Sequence, residues 1–220
     1  HRIYWSMNEK GADRPSRKIR KRSFESGGVS VKPGTYNLKM HFGDQTSENT
    51  LKVEFDPRLE MSSKAITEIY NTSKDLEKDQ QLMADIVKQL VESKQTASTF
   101  KKDLTKEDKK KYKDQIKLSK EIITKIDKHI AAFIGEIDKR QGITRNPEVT
   151  VNRRYFSARR YVGSRFGHLT STEERLISQF KKAFNDAVKK TNSFFETDWK
   201  TYKTTLETIR ISPFKEIQKF

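Results

Sequence analysis

The chain of 220 residues contains no cysteine. Disulfides, thiolate metal sites and cysteine nucleophiles are therefore excluded, and that absence by itself chooses no redox compartment. Apolar residues are also scarce, at 33% of the chain with nine glycines besides. An ordinary globular chain reaches roughly 45–50% with glycine counted. So little apolar material cannot fill a wide spherical core. It can fill a narrow seam between long helices that each turn one stripe inward. No run approaches the roughly 18 apolar residues of a membrane span. The first residue is His1, with neither Met nor a signal-like stretch, and this start reads as a cut inside a larger protein.

Charge is plentiful and unbalanced, with 46 Lys+Arg against 30 Asp+Glu, a formal net charge of +16. A basic surface favours phosphates, anionic lipid headgroups or acidic partners. Part of the excess is local. Arg14, Arg17, Lys18, Arg20, Lys21 and Arg22 fall within one short run, RPSRKIRKR. A second stretch, Lys139 to Arg165, holds eight basic residues and one acid, Glu148. The intervening segments mix both signs, as solvated helix faces do.

Residues 1–57 carry a β pattern. Ile3-Tyr4-Trp5 opens a strand-like run, and Tyr36, Leu38, Met40 and Phe42 alternate on one face of a second. Leu51-Lys52-Val53-Glu54-Phe55 alternates again, across a polar, turn-like segment from Gly43 to Asn49. This predicts an antiparallel hairpin entered through Pro33-Gly34. Three strands make no stable free-standing sandwich, so the sheet either lacks strands or packs on helices.

After Asp56-Pro57 the apolar period changes from two to between three and four. One seam runs Ile66, Ile69, Ser73, Leu76, Gln80, Met83, Val87, Leu90, Lys94, Ala97, Lys101, Leu104. A second runs Tyr112, Ile116, Ser119, Ile123, Ile126, Ile130, Phe133, Ile137. Both are heptad-like and predict two long antiparallel helices, at about 63–103 and 106–141. The second seam is expected to face Ile66 to Leu90. Thr105 and Asp108 have the spacing of a capping box for the turn between them, and Gly142 suits the end of the second helix. A shorter helix is predicted at about 152–164. A last helix, capped at Thr170 or Ser171 with Glu173 and Glu174, is predicted over about 171–210 with Pro213 beyond it. Its stripe is aromatic: Phe180, Phe184, Phe195 and Tyr202. Long repeats and low-complexity tracts are absent.

The motifs of chemistry are missing. His1, His41, His129 and His168 are scattered, without a zinc-type spacing. Gly163-Ser164-Arg165-Phe166-Gly167 is no nucleophile elbow, because its Ser stands second. There is no Walker loop and no dinucleotide fingerprint. The carboxylates lie at helical surface spacing beside Lys, without the paired environments of an acid and a base. No catalytic, metal or cofactor site is predicted. Two basic clusters are candidate polyanion contacts: Arg14, Arg17, Lys18, Arg20, Lys21 and Arg22, and Arg153, Arg154, Arg159 and Arg160. The first also reads as a solvated loop. The second is interleaved with Tyr155, Phe156 and Tyr161. Arg with aromatics suits nucleic acid, and equally a short helix that buries its rings and pairs its Arg residues with acidic neighbours. The second reading is preferred, because a chain poor in apolar residues needs its rings for the core.

The order of these segments carries a resemblance. Pro33-Gly34-Thr35-Tyr36 is followed by a hairpin ending in Val53-Glu54-Phe55-Asp56-Pro57-Arg58. A long two-helix seam comes next, then a Thr-rich cap before an amphipathic helix with Trp199. This resembles the C-terminal region of bacterial, Bacteroidetes-type secreted glycosyl hydrolase or neuraminidase-repeat proteins with sortilin-like β-propellers. Trp5-Ser6-Met7-Asn8 departs from that family's usual W-D-L-R, and the Arg14–Arg22 loop is unusually basic. The resemblance implies the end of an immunoglobulin-like module at 1–57 and a helical bundle at 58–220. It implies a secreted, periplasmic or cell-envelope location, with any glycosidase site in a propeller outside this chain. The expectation is an α+β fold, mainly α: a partial immunoglobulin-like β-sandwich followed by a long-helix antiparallel bundle. The expected function is that of a non-catalytic accessory module, partnered by the rest of its parent chain. A basic helical module binding nucleic acid or another polyanion is the alternative. Nucleic acid is not expected as a partner of an exported protein.

Overall fold

The computed structural model describes residues 4–19, 26–137 and 149–209. The fold is α+β and mainly α. In order come strands β1 (Asn8–Lys10), β2 (Gly27–Ser30), β3 (Gly34–Phe42) and β4 (Gln45–Val53), then helices α1 (Ser63–Asp108), α2 (Lys113–Ile134), α3 (Val151–Gly163) and α4 (Ser171–Phe194). A π-helical turn, Phe195–Trp199, joins α4 to α5 (Lys200–Glu207). No described helix is long and apolar enough to cross a membrane.

The chain packs as two compact units, and α1 and α4 each pass from one into the other. The first unit holds the strands, α1 as far as Asp85, α3, and α4 as far as Lys181. Its strands form two separate antiparallel pairs, β1–β2 and β3–β4. An immunoglobulin-like module at 1–57 thus rests on the resemblance. The segment Ile3-Tyr4-Trp5 was expected to be strand. Ile3 lies outside the described residues, Tyr4 and Trp5 are not in a strand, and the first strand starts at Asn8. The predicted hairpin forms, with Gly34 opposite Val53 and Phe42 opposite Gln45. Its turn is only Gly43-Asp44, so β4 begins six residues before the expected Leu51. Gly43 has φ 56°, the left-handed conformation that a two-residue hairpin turn of type II′ requires at its first central position.

The β1–β2 pair packs on α1 through polar groups. Glu9 accepts hydrogen bonds from Tyr70 Oη and, at 2.8 Å, from Lys74 Nζ, which also pairs with Glu77 at 2.7 Å. Further along, Gln80 Nε2 donates to the carbonyls of Ala12 (3.2 Å) and Asp13 (2.9 Å). Gln80 is buried, and its own carbonyl accepts from the buried Tyr155 hydroxyl of α3. Tyr155 in turn meets Phe180 of α4 edge-on, with centroids 5.5 Å apart. A polar residue in the middle of the α1 stripe is thereby satisfied on both ends of its amide.

The second unit holds the rest of α1 with α2, the end of α4, the π turn and α5. α1 continues to Asp108 instead of stopping near 103. Thr105 does not cap; its hydroxyl bonds back to the Lys101 carbonyl at 2.6 Å, inside the helix. The extra turn keeps Leu104 fully buried. Asp108 caps the connection instead, accepting from the Lys110 and Lys111 amides at 2.8 and 2.9 Å. α1 and α2 are antiparallel here. Lys94 and Asp127, equally far from the turn along their helices, meet at 2.6 Å.

α2 is shorter than expected. It ends at Ile134, where Gly135 takes φ 82°. Ile137 is therefore outside the helix and 66% exposed, whereas Ile126 and Phe133 are wholly buried. Gly142 and Pro147 lie outside the described residues. Of the residues expected to face α2, Val87 and Leu90 share its unit, whereas Ile66, Ile69, Leu76 and Met83 belong to the first unit. A helix of 22 residues is about 33 Å long and cannot line a 46-residue neighbour from end to end.

α5 returns along α2. Phe184 meets Phe133, Thr191 meets His129, Asp198 meets Lys125, and Tyr202 meets Ser119, a series that rises on one helix as it falls on the other. Thr170 caps α4, its amide donating to the Glu173 carboxylate at 2.8 Å. The aromatic stripe buries Phe194 in place of the expected Phe195. Phe194 and Tyr202 are one residue further apart than a heptad. The wider π turn between them absorbs the extra residue and keeps both rings inward. Pro213 lies outside the described residues.

Ile126→Ala should destabilise the chain by about 2–5 kcal/mol in denaturant unfolding, the range for emptying a closed apolar site. Ile137→Ala should change little. Equal effects of the two would refute the assignment of the α2 core.

Candidate functional site

Two surfaces stand out on the first unit. One is basic and belongs to α3. Its sequence, VNRRYFSARRYVG, has four Arg and no acid. Val151, Tyr155, Ala158 and Val162 turn inward, three or four residues apart, and anchor the helix. The rings divide. Tyr155 is core, as expected, but Phe156 is 38% and Tyr161 49% exposed. The expectation that this helix buries all its rings is corrected: they occupy more of its circumference than the one stripe that packing covers.

Phe156, Arg159, Arg160, Gly163 and Ser164 line an open, shallow depression. Arg14 joins it from the loop after β1, its guanidinium 5.9 Å from the centre of the Phe156 ring, within cation–π range. Burial pushes the Tyr155 hydroxyl up to about 12, and the nearby Arg159 and Arg14 pull against that shift. The structure thus joins one residue of the first basic cluster to two of the second. Among the described residues, no carboxylate pairs with Arg14, Arg159 or Arg160. The nearby acids have other partners: Asp79 lies 2.5 Å from Lys181, and Glu77 holds Lys74.

The remaining predicted contacts are dispersed. Arg17 donates to the Gly135 carbonyl at the end of α2, in the second unit. Lys18 lies exposed in the same stretch of loop. Arg153 is exposed, and Arg154 reaches Gln179 at 3.5 Å. Arg20, Lys21 and Arg22 lie outside the described residues.

The other surface is the β3–β4 hairpin. Side chains alternate across a strand. Tyr36, Leu38, Met40 and Phe42 therefore share a face with Leu51, Asn49, Ser47 and Gln45 opposite them. That face carries no charge, in a chain that is 35% charged. The charges lie on the reverse face, where Lys39 and Glu48 pair across the strands at 2.6 Å. Trp5 packs on Tyr36 at one end, with centroids 5.6 Å apart. Leu38, Met40, Phe42 and Leu51 are all exposed, Phe42 by 83%.

The described histidines, His41, His129 and His168, lie apart with separate partners, and His1 lies outside the described residues. His129 is partly buried against Phe194, with Nδ1 3.2 Å from the Thr191 hydroxyl. Burial lowers its pKa, Asp198 opposes that shift and Lys190 adds to it. His168 meets Glu68 at 2.7 Å and His41 meets Thr46 at 2.9 Å. Among the described residues, no three His, Asp or Glu side chains form a metal-binding group.

Glu9 and Lys74 hold the β1–β2 pair through charge. The hydrogen bond from Lys74, and then that from Tyr70, keeps the Glu9 carboxyl below its ordinary 4.5. The hydrogen bonds to Glu77 and then Glu9 raise Lys74 above its ordinary 10.5. Glu9 therefore contributes stability above about pH 4.5 and loses it as pH falls through its lowered value. Lys74 contributes below about pH 10.5 and loses its share as pH rises through its raised value.

Comparison with family models, with curated proteins and with solved structures finds no match to this chain.

Glu9→Gln should unfold at a lower temperature than the unmodified chain at pH 7, and the gap should narrow below about pH 4.5. A gap that is constant from pH 7 to pH 3 would refute the ionic role. Tyr155→Phe should cost about 1–3 kcal/mol in denaturant unfolding, because the ring stays packed while the buried Gln80 carbonyl loses its donor.

Proposed function

We propose that this chain is a non-catalytic interaction module of an exported, multidomain β-propeller protein of the glycosyl hydrolase type. It docks on the β-rich remainder of that protein through the β3–β4 hairpin. The observation that carries this reading is the uncharged, exposed face of the hairpin. A two-stranded ribbon is marginal in water unless its face is covered or further strands join it. Among the described residues no third strand pairs with the hairpin, so both of its strands are edges. Nine-residue strands span about 30 Å, long enough to add to a sheet as β-strand addition does. The segment order shared with the propeller-associated region supports the identity of the partner and the exported location. The helical part of the hairpin's own unit then acts as the mount that presents it.

Two measurements test this. Backbone amides of Gly34–Val53 should exchange rapidly in the isolated chain and at least about 100-fold more slowly when the propeller-bearing polypeptide is added. The L38K/M40K double variant should lose that protection while its helical signal and unfolding midpoint persist. Slow exchange in the isolated chain, or normal docking by the double variant, would overturn the reading. The isolated chain should also hydrolyse no aryl glycoside. Turnover that follows the chain through purification and disappears on replacing one of its own carboxylates would show it to be an enzyme.

A further inference from the structure

We propose that the α3 surface built from Arg14, Phe156, Arg159, Arg160, Gly163 and Ser164 is a binding site for single-stranded nucleic acid. The hairpin plays no part in it, so this proposal does not rest on the docking function. It departs from the expectation, drawn from the resemblance to an exported family, that nucleic acid is no partner, and it stands on this surface alone. Two Arg side chains, Arg159 and Arg160, line one open depression, and a third guanidinium, that of Arg14, lies over the Phe156 ring on its lining. Among the described residues no carboxylate pairs with any of them. Such a group lacks its natural counter-charge on the protein and matches phosphate, which accepts the two-pronged bonds that Arg donates. An exposed apolar ring lies among the charges, in contact with the Arg14 guanidinium. Aromatic rings and guanidinium planes are the groups on which unpaired bases stack, and this surface offers both. Phe156 has no polar group, so it reads no particular base, and the contact tolerates any sequence.

The chemistry selects among polyanions. In a duplex the bases are stacked on one another, and Phe156 on an open surface cannot reach their faces. A polysaccharide presents hydroxyls that need acceptors as well as donors. The site supplies guanidiniums, which only donate, and a single side-chain acceptor, the Ser164 oxygen, whose hydrogen goes to the Tyr161 carbonyl at 3.2 Å. An open depression without walls fits a polymer passing over it better than an enclosed small molecule. Gly163 adds to the access, since a side chain there would meet only open space.

The test uses the full chain with a fluorescent oligothymidylate, a duplex of equal length and a heparin-like sulfated polysaccharide, each titrated over a range of salt. The oligothymidylate should bind more tightly than the duplex. Log affinity should fall against log salt with a slope of about −2 for three phosphate contacts at about 0.7 each. Arg159→Ala or Arg160→Ala should flatten that slope by about 0.7. Phe156→Ala should weaken binding by about 5- to 100-fold and leave the slope unchanged, because stacking releases no counterions. Lys110→Ala, at the α1–α2 turn, removes the same charge and should change neither slope nor affinity beyond a small general loss. Circular dichroism confirms that each variant keeps its helices. Equal affinity for single strand and duplex, or indifference to Phe156→Ala in a folded variant, would reduce the surface to diffuse charge and overturn the proposal. Tighter binding of the sulfated polysaccharide, lost in the same three variants, would overturn it in favour of a glycan site.

Discussion

The constraint beneath this structure is the supply of apolar side chains. With a third of the chain apolar, burial has to be concentrated in stripes about one side chain wide. α1 shows how this is done. Over 46 residues, about 69 Å, it keeps Leu76, Met83, Val87, Leu90, Ala97 and Leu104 covered and leaves most of its remaining surface to charge. Each seam residue accordingly has to be backed by a helix, and the elements around α1 are placed where they back it. α3 and the start of α4 serve its first half; α2 and the end of α4 serve its second.

Where the stripe is interrupted, hydrogen bonds take over. Gln80 is the clearest case. Its amide ties together the loop after β1, helix α1 and the hydroxyl of Tyr155, and every polar atom of its head has a partner. A buried polar group in this position adds directional specificity that a Leu could not, because both its neighbours must arrive with the right donor or acceptor. Glu9, Lys74 and Glu77 repeat the device nearer the surface with charge. Ser119 and Tyr202 repeat it in the second unit, within the α2–α5 seam. Polar pairs thus replace missing hydrocarbon at several places along the stripes.

The same scarcity makes exposed apolar groups informative. Phe42, Met40 and Leu38 on the hairpin, and Phe156 on α3, are left uncovered in a molecule with few such side chains to spare. Their settings differ in charge. The hairpin face has none, which suits an apolar sheet or strand edge. The α3 surface has three guanidiniums, which suits phosphate. Electrostatics therefore separates the two surfaces by the kind of partner each can accept.

The sequence alone determined the class of the fold and most of its elements. The switch of apolar period after Pro57 placed the change from strand to helix. The three-four spacing of the second seam identified the buried Ile116, Ser119, Ile126, Ile130 and Phe133, with Ile122 buried in place of the expected Ile123. The cap at Thr170 and Glu173 was legible because its hydrogen bonds are local. The ends of α1 and α2 were not. Thr105 can cap a new helix or bond back within the old one, and only the burial of Leu104 by other elements decides between them. The π turn was hidden for the same reason, since its extra residue acquires meaning only once Phe194 and Tyr202 must both face α2. Legible in the candidate site were the two basic runs; their meeting was not. Arg14 and Phe156 are far apart in the chain, and a helix with rings on several sides does not say which one packing will cover. Tertiary structure decided that Tyr155 goes inward to Gln80 while Phe156 stays exposed beside Arg14, because the buried stripe of α3 runs through Val151, Tyr155, Ala158 and Val162.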